Sequence, residues 1–128
     1  LMVLEGELKL EHKDHHSCIL REYEQDYFKG SWNTMSYGKV RDFNLMLRDG
    51  RKGDVTPIHI SSQGVSIKIL SEGKILDSVV FYCFKGITKF CQTIANPGDA
   101  IMINDNFQDA YFKSIEDTSV IIMVRLFK

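Results

Sequence analysis

Polar side chains with ligand-binding chemistry occur in segment 37–50, YGKVRDFNLMLRDG, which otherwise has the pattern of a β-strand. Alternation places Asp42 and Asn44 on the face opposite Phe43. A strand face with a carboxylate and an amide two residues apart is either exposed to solvent or lines a polar site. The guanidinium of Arg41 can bind a carboxylate as a two-pronged fork. We therefore predict that Arg41, Asp42 and Asn44 bind a ligand. The alternative is that Arg41 is a surface charge and the other two satisfy backbone groups.

The single tryptophan of the chain, Trp32, lies among turn residues in FKGSWNT, segment 28–34. An indole in this position either covers the end of a hydrophobic core or forms the wall of a ligand pocket. Its N–H needs a hydrogen-bond partner if it is buried. Both interpretations remain open, and we include Trp32 among the candidate ligand-binding residues.

Three of the four histidines, His12, His15 and His16, are clustered in EHKDHH, segment 11–16. Imidazoles next to carboxylates can bind zinc or nickel. Segment 12–17 is hydrophilic, however, and has the composition of a turn, on which several of these rings would point into water. The sequence predicts a solvated turn and no specific metal site.

Catalytic motifs are missing from the sequence. His59, in PIHIS, alternates with two isoleucines, and a lone histidine on a strand is more often a packed or surface residue than a general base. The chain has no glycine-flanked serine elbow, no phosphate-binding loop, and no Cys/His pair at a recognisable spacing. We therefore assign no catalytic residue.

Composition excludes several classes of partner. The 128 residues carry 16 basic and 17 acidic side chains, for a net charge of −1, without the basic excess of nucleic-acid-binding proteins. No apolar run is long enough to cross a bilayer, and the chain does not open with a signal-peptide pattern. The chain has three cysteines, an odd number, and they lack CxxC spacing. Both features are typical of reduced thiols. We expect a cytoplasmic protein that binds neither nucleic acid nor membrane.

Strand patterns separated by turn residues recur along the chain, and no window combines helical periodicity with helix start and stop signals. In NPGD, segment 96–99, proline at the second position and glycine at the third predict a type II turn. The charged, glycine-containing DGRKGD, segment 49–54, reads as a connector. The predicted strands cover residues 4–10, 18–23, 26–30, 34–37, 42–46, 55–60, 65–70, 79–84, 87–93, 100–104, 110–115 and 119–127.

Both ends of the chain have strand patterns. The first residues already have a strand pattern, and SVIIMVRLF, segment 119–127, is apolar on both faces except at Arg125. A strand buried on both faces lies between packed layers. We expect these residues alone to expose an apolar surface, which either an upstream segment or a homodimer would cover. The residues concerned are Met2, Leu4, Ile121, Met123 and Phe127.

Three motifs together resemble the HutD/Ves family of cupin-like proteins, which is associated with bacterial histidine utilisation. They are LEGELKL at 4–10, YFKGSWNT at 27–34 and GKVRDFNLM at 38–46, with a looser match through NPGDAIMI at 96–103. The resemblance implies an all-β, cupin-like β-barrel or sandwich in a bicupin arrangement. Residues 1–50 would be the later part of the first half, its N-terminal strands missing from this chain. Residues 51–128 would be the connector and the second half.

The resemblance also implies a function. Family members lack the metal-ligand set of metal-binding cupins, and FCQT, the strand before NPGD, has no histidine, so no metal or cofactor is expected. The predicted function is non-enzymatic, regulatory binding of a small polar metabolite from histidine breakdown, such as urocanate or formylglutamate. One alternative is a metal-independent isomerase or lyase with Asp42 or His59 as proton shuttle. The other is a structural module that assembles with a further subunit.

Overall fold

The chain folds into two compact units built from β-strands. The computed structural model describes residues 1–48, 50–70, 72–104 and 108–128, and within these ranges it contains no helix. The units are Leu1–Met46 and Leu47–Lys128. The strands are β1 (Met2–Glu5), β2 (Leu8–His12), β3 (Ser17–Leu20), β4 (Thr34–Tyr37), β5 (Arg41–Phe43), β6 (Lys52–Ser61), β7 (Val65–Lys68), β8 (Leu76–Lys85), β9 (Thr88–Phe90), β10 (Thr93–Ala95), β11 (Ala100–Ile103), β12 (Asp109–Ser114) and β13 (Thr118–Phe127).

The all-β class is thus confirmed. No helix long and apolar enough to span a membrane occurs in the described part of the chain. The division into cupin halves at 1–50 and 51–128 stays a prediction.

The first unit contains a three-stranded sheet, in the order β3-β2-β4, and a two-stranded sheet of β1 and β5. The predicted strand 4–10 is divided at Gly6, which has a φ of 93° and separates β1 from β2. In β2 the apolar side chains alternate with charged ones and are buried on one face. The core of the unit consists of Val3, Leu8, Leu10 and Leu20, packed against Leu1, Cys18, Phe28 and Val40.

The second unit is a β-sandwich. Two four-stranded antiparallel sheets, β10-β9-β12-β7 and β11-β8-β13-β6, both contribute side chains to one core. A core shared by the inner faces of two sheets is the defining feature of a sandwich. Neither sheet closes on itself among the described strands. The core residues are Ile60, Ile67, Ile69, Val79, Phe81, Ile103, Ala110, Phe112, Ile121 and Met123.

The final strand is buried on both faces, as predicted. β13 lies between β6 and β8 in its sheet, and six consecutive residues from Ser119 to Val124 are buried. Arg125, the one charged residue of this strand, forms two hydrogen bonds with the Asp54 carboxylate, at 2.9 and 2.6 Å. Arg125 Nη1 also donates to the Ile69 carbonyl at 3.1 Å.

The expectation of an exposed apolar surface at the chain ends is wrong. Met2, Leu4, Ile121, Met123 and Phe127 are each at most 4% exposed within the single chain. The reason is pairing on both sides: β1 contacts β5 and segment 23–26, and β13 is an interior strand. A homodimer stays a prediction, but these residues no longer supply the reason for it.

Three local predictions can be compared with the backbone. The NPGD turn is confirmed, because the Asp99 amide donates to the Asn96 carbonyl at 2.9 Å and Gly98 has a φ of 96°. The predicted strand 87–93 is divided into β9 and β10 by a turn at Cys91, whose φ is 54°. The predicted strand 26–30 is wrong, because strand pairing near it is limited to a bridge from Gln25 to Met2.

The three cysteines occupy different environments. Cys18 is half-buried, Cys83 is buried and Cys91 is exposed. Cys83 Sγ donates to the Gly86 carbonyl at 3.2 Å, and burial raises the pKa of this thiol.

We expect Gly38→Ala to destabilise the first unit by about 2 kcal/mol. Gly38 has a φ of 134°, and a Cβ there would lie 2.4 Å from the Glu7 carbonyl oxygen. Gly50→Ala is the matched control, because Gly50 also has a positive φ, of 70°, but its Cβ would have no neighbour within 4 Å. Urea unfolding of both variants measures the difference. Equal losses would show that the contact with Glu7 is unimportant.

Candidate functional site

A buried histidine is the centre of the candidate site in the first unit. Because β2 alternates, His12 lies on the same buried face as Leu8 and Leu10, and its side chain is 0% exposed. Its Nε2 donates to Asp26 Oδ2 at 2.6 Å, and its Nδ1 forms a 2.7 Å hydrogen bond with Thr34 Oγ1. The expectation that several of these rings point into water holds for His15 and His16, which are exposed, whereas His12 is buried. The alternation of apolar and polar residues in LKLEH was the sequence signal that could have predicted the burial of His12.

Asp26 joins two imidazoles. Its Oδ1 accepts a 2.7 Å hydrogen bond from His16 Nε2 while its Oδ2 bonds His12, and the carboxylate is 11% exposed. The backbone positions it, because segment 23–26 pairs with the start of β1: Tyr23 N donates to the Val3 carbonyl, and Asp26 N to the Leu1 carbonyl. Sequence reasoning missed Asp26, since no local pattern shows that a residue 14 positions away contacts His12.

The Asp26 carboxylate is ionised in this environment. Burial alone would raise its pKa, but hydrogen bonds from His12, His16 and Cys18 outweigh burial and hold the pKa below its ordinary value. Burial, followed by the hydrogen bond to Asp26 and its negative charge, raises the pKa of the Cys18 thiol to about 11. The thiol is therefore protonated at neutral pH and donates to Asp26.

Aromatic rings pack against the three clustered histidines. The His15 and Trp32 rings stack at 3.8 Å with an angle of 10° between their planes. Trp32 also meets His12 and His16 edge-on, at 5.5 and 5.8 Å, and Phe28 packs on His12 at 4.6 Å. The half-buried Trp32 thus belongs to an imidazole-rich cluster, while its role in ligand binding stays a prediction.

An open depression of about 550 Å³ lies over the turn between β2 and β3. Asp14 is the third residue of this turn and has a positive φ of 64°, a conformation that aspartate tolerates better than most residues. Eight of the nine lining residues have a charged or polar side chain, which can bind a polar group of a ligand. The lining residues are Glu11, His12, Lys13, Asp14, His15, His16, Ser17, Asn33 and Met35.

The other predicted ligand-binding residues lie on or just after β5. Arg41 is 63% exposed and pairs with Glu5 at 3.3 Å. Asn44 Nδ2 donates to Asp42 Oδ2 at 2.8 Å, and both side chains are exposed. The predicted strand 42–46 ends at Phe43, so Asn44 follows the strand. The structure brings Asp42 and Asn44 together and groups Trp32 with the histidines; a ligand-binding role for Arg41, Asp42 and Asn44 stays a prediction.

His59, the second candidate proton shuttle beside Asp42, is exposed on β6. Its neighbours Ile58 and Ile60 both pack in the core of the second unit, so His59 faces the other side of the sheet. Ten buried apolar side chains fill the space between the two sheets.

Comparison with known proteins assigns the chain to a family. A family model described as HutD matches residues 1–115. The chain belongs to the HutD family. No curated protein sequence matches this HutD-family chain significantly.

Among solved structures, the HutD-family chain is similar to the crystal structure of YhhW from Escherichia coli. The TM-score is 0.58 and the identity 11%, with 97% of this chain and 69% of that chain covered. At this identity the likeness concerns the fold alone. It supports the description of this HutD-family chain as a cupin-like β-sandwich, and the bicupin arrangement stays a prediction.

Proposed function

We propose that this HutD-family chain binds a small carboxylate metabolite, without converting it, in the depression over the β2–β3 turn. The observation that carries the proposal is the exposed His15 ring, which stacks flat on Trp32 and lines the depression together with Lys13. The stack holds the imidazole in one orientation, which lowers the entropy lost when a flat ligand packs on it. The Lys13 ammonium supplies a charged donor for a carboxylate.

Products of histidine breakdown fit this chemistry, and the resemblance to the HutD family is the reason to test them first. Urocanate is a planar imidazole conjugated to a carboxylate, so its ring can stack on His15 while its carboxylate bonds Lys13. Formylglutamate offers two carboxylates but no ring. We therefore propose urocanate as the better ligand of the two, in a regulatory role.

The strand that carries Arg41, Asp42 and Asn44 is the alternative location for the ligand. Arg41 already pairs with Glu5, and Asn44 already donates to Asp42. A ligand there would have to compete with both interactions, whereas the depression is open. This difference favours the depression.

We expect Lys13→Ala to weaken urocanate binding roughly ten-fold or more, since a hydrogen bond to a charged group contributes about 1.5–3 kcal/mol. Titration calorimetry on the whole chain measures this, and His15→Ala should also weaken binding. Lys39→Ala is the matched control, because Lys39 is an exposed lysine of the same unit that does not line the depression. The ligand should be recovered unchanged after incubation.

Each contrary outcome has a distinct meaning. Loss of affinity in Arg41→Ala but not in Lys13→Ala would move the site to β5. Conversion of urocanate would favour the isomerase or lyase alternative. Absence of binding by both metabolites would contradict the proposed function.

A further inference from the structure

We propose that His12, His16 and Asp26 form a zinc-binding site. Two imidazole nitrogens and one carboxylate oxygen, one ligand atom from each residue, all lie within 4.8 Å of one another. Imidazole and carboxylate are common zinc ligands, whereas magnesium and calcium prefer oxygen alone. The site goes beyond the proposed metabolite binding and does not depend on it.

The distances require only a small rearrangement. Ligand atoms at zinc bond lengths in a tetrahedron are about 3.3 Å apart. His12 Nε2 is now 2.6 Å from Asp26 Oδ2 and His16 Nε2 is 2.7 Å from Oδ1, so these distances must open, and the two Nε2 atoms must come within about 3.3 Å of each other and of the oxygen that binds zinc. His16 can make this adjustment because its side chain is 43% exposed and follows a turn. His12 and Asp26 stay in place as the buried part of the site.

Outer contacts already hold these ligands in position. Zinc takes the Nε2 lone pair of a neutral imidazole, so zinc binding must shift the His12 proton from Nε2, which now donates it to Asp26, to Nδ1, where Thr34 Oγ1 is 2.7 Å away and can accept it. The Asp26 amide donates to the Leu1 carbonyl at 3.0 Å, which holds the backbone of this ligand in place.

Three protein ligands leave one zinc position for water or a ligand. His12 and His16 both line the open depression, which gives this position access to solvent. A closed structural site would have four protein ligands. The geometry therefore fits an accessible zinc ion rather than a purely structural one.

The test is zinc titration of the whole chain, without a histidine tag, after treatment with a chelator and without metabolite. Calorimetry should find one zinc per chain. Trp32 provides a second readout, because it is the single tryptophan and its ring lies 5.5 Å from His12 and 5.8 Å from His16. Cobalt(II), a paramagnetic substitute for zinc, should quench its fluorescence at the same stoichiometry.

His16→Ala should weaken zinc binding at least ten-fold and leave the fold intact, because His16 is the exposed ligand. His15→Ala is the matched control: it removes a neighbouring imidazole that stacks on Trp32 and is outside the ligand group. Equal losses in the two variants would show unspecific binding to a histidine-rich turn and overturn the proposal. Absence of zinc binding to the wild-type chain would also overturn it, whatever the result with urocanate.

Discussion

Met123→Lys is expected to unfold the second unit. Met123 is 4% exposed in the core between the two sheets, where a lysine charge would have to be buried. A buried charge without a partner costs about 3–5 kcal/mol, a large part of the stability of a small domain. Urea unfolding followed by circular dichroism measures the loss.

Met102→Lys is the matched control for this change. Met102 lies on β11 of the same sheet but is 62% exposed, so the substitution should change the free energy of unfolding by no more than about 0.5 kcal/mol. Light scattering adds a test of assembly. A folded Met123→Lys monomer beside a dimeric wild-type chain would place Met123 in an interface and contradict its burial in the single chain.

Arg125→Ala is expected to cost about 3 kcal/mol, because three hydrogen bonds are lost and Asp54 remains partly buried without its cation. Arg125 and Asp54 are 16% and 25% exposed, and the hydrogen bonds to Asp54 raise the pKa of Arg125. Chemical denaturation gives the value.

Arg41→Ala serves as the comparison for the Arg125 variant. It removes the same side chain from an ion pair with Glu5 that lies on the surface, and such pairs contribute about 0–1 kcal/mol. Similar losses in the two variants would mean that burial does not decide the strength of these pairs.

Strands were predictable where alternation or apolar runs reflect burial directly. The prediction for 34–37 coincides with β4, and 119–127 differs from β13 by one residue. In both cases the residues that set the pattern belong to the strand itself. The NPGD turn was predictable for the same reason, since proline and glycine determine its backbone angles locally.

Predictions failed where distant residues decide the structure. Segment 26–30 contains strand-forming residues, but pairing of segment 23–26 with β1 leaves only an isolated bridge at Gln25. The DFNLM segment keeps half-buried Phe43 and Leu45 alternating with exposed neighbours, but β5 pairs with β1 only as far as Phe43, which lies opposite Met2. Propensity shows that a strand can form but cannot show how long its neighbour is.

In the candidate site, too, local patterns marked some residues, whereas distant contacts determined the position of others. Trp32 and the histidines were recognisable as candidate ligand-binding residues. His12 is buried because it lies two residues after Leu10, on the same face of β2. Asp26 was not recognisable, because a single aspartate between Gln25 and Tyr27 has no local pattern that marks it. Only the pairing of its backbone with Leu1 places it between two imidazoles.

The different environments of the three cysteines have a consequence for optical measurements. Cys18 and Cys83 have raised pKa values and limited exposure, so a thiol-reactive dye should attach first to exposed Cys91. Cys91 lies in the second unit and Trp32 in the first. The unaltered chain therefore carries a resonance-energy-transfer donor in one unit and an attachment point for an acceptor in the other. The same titration of the unlabelled chain gives the direct effect of zinc or urocanate on Trp32, and the remaining change in transfer measures a change in the separation of the units without any substitution.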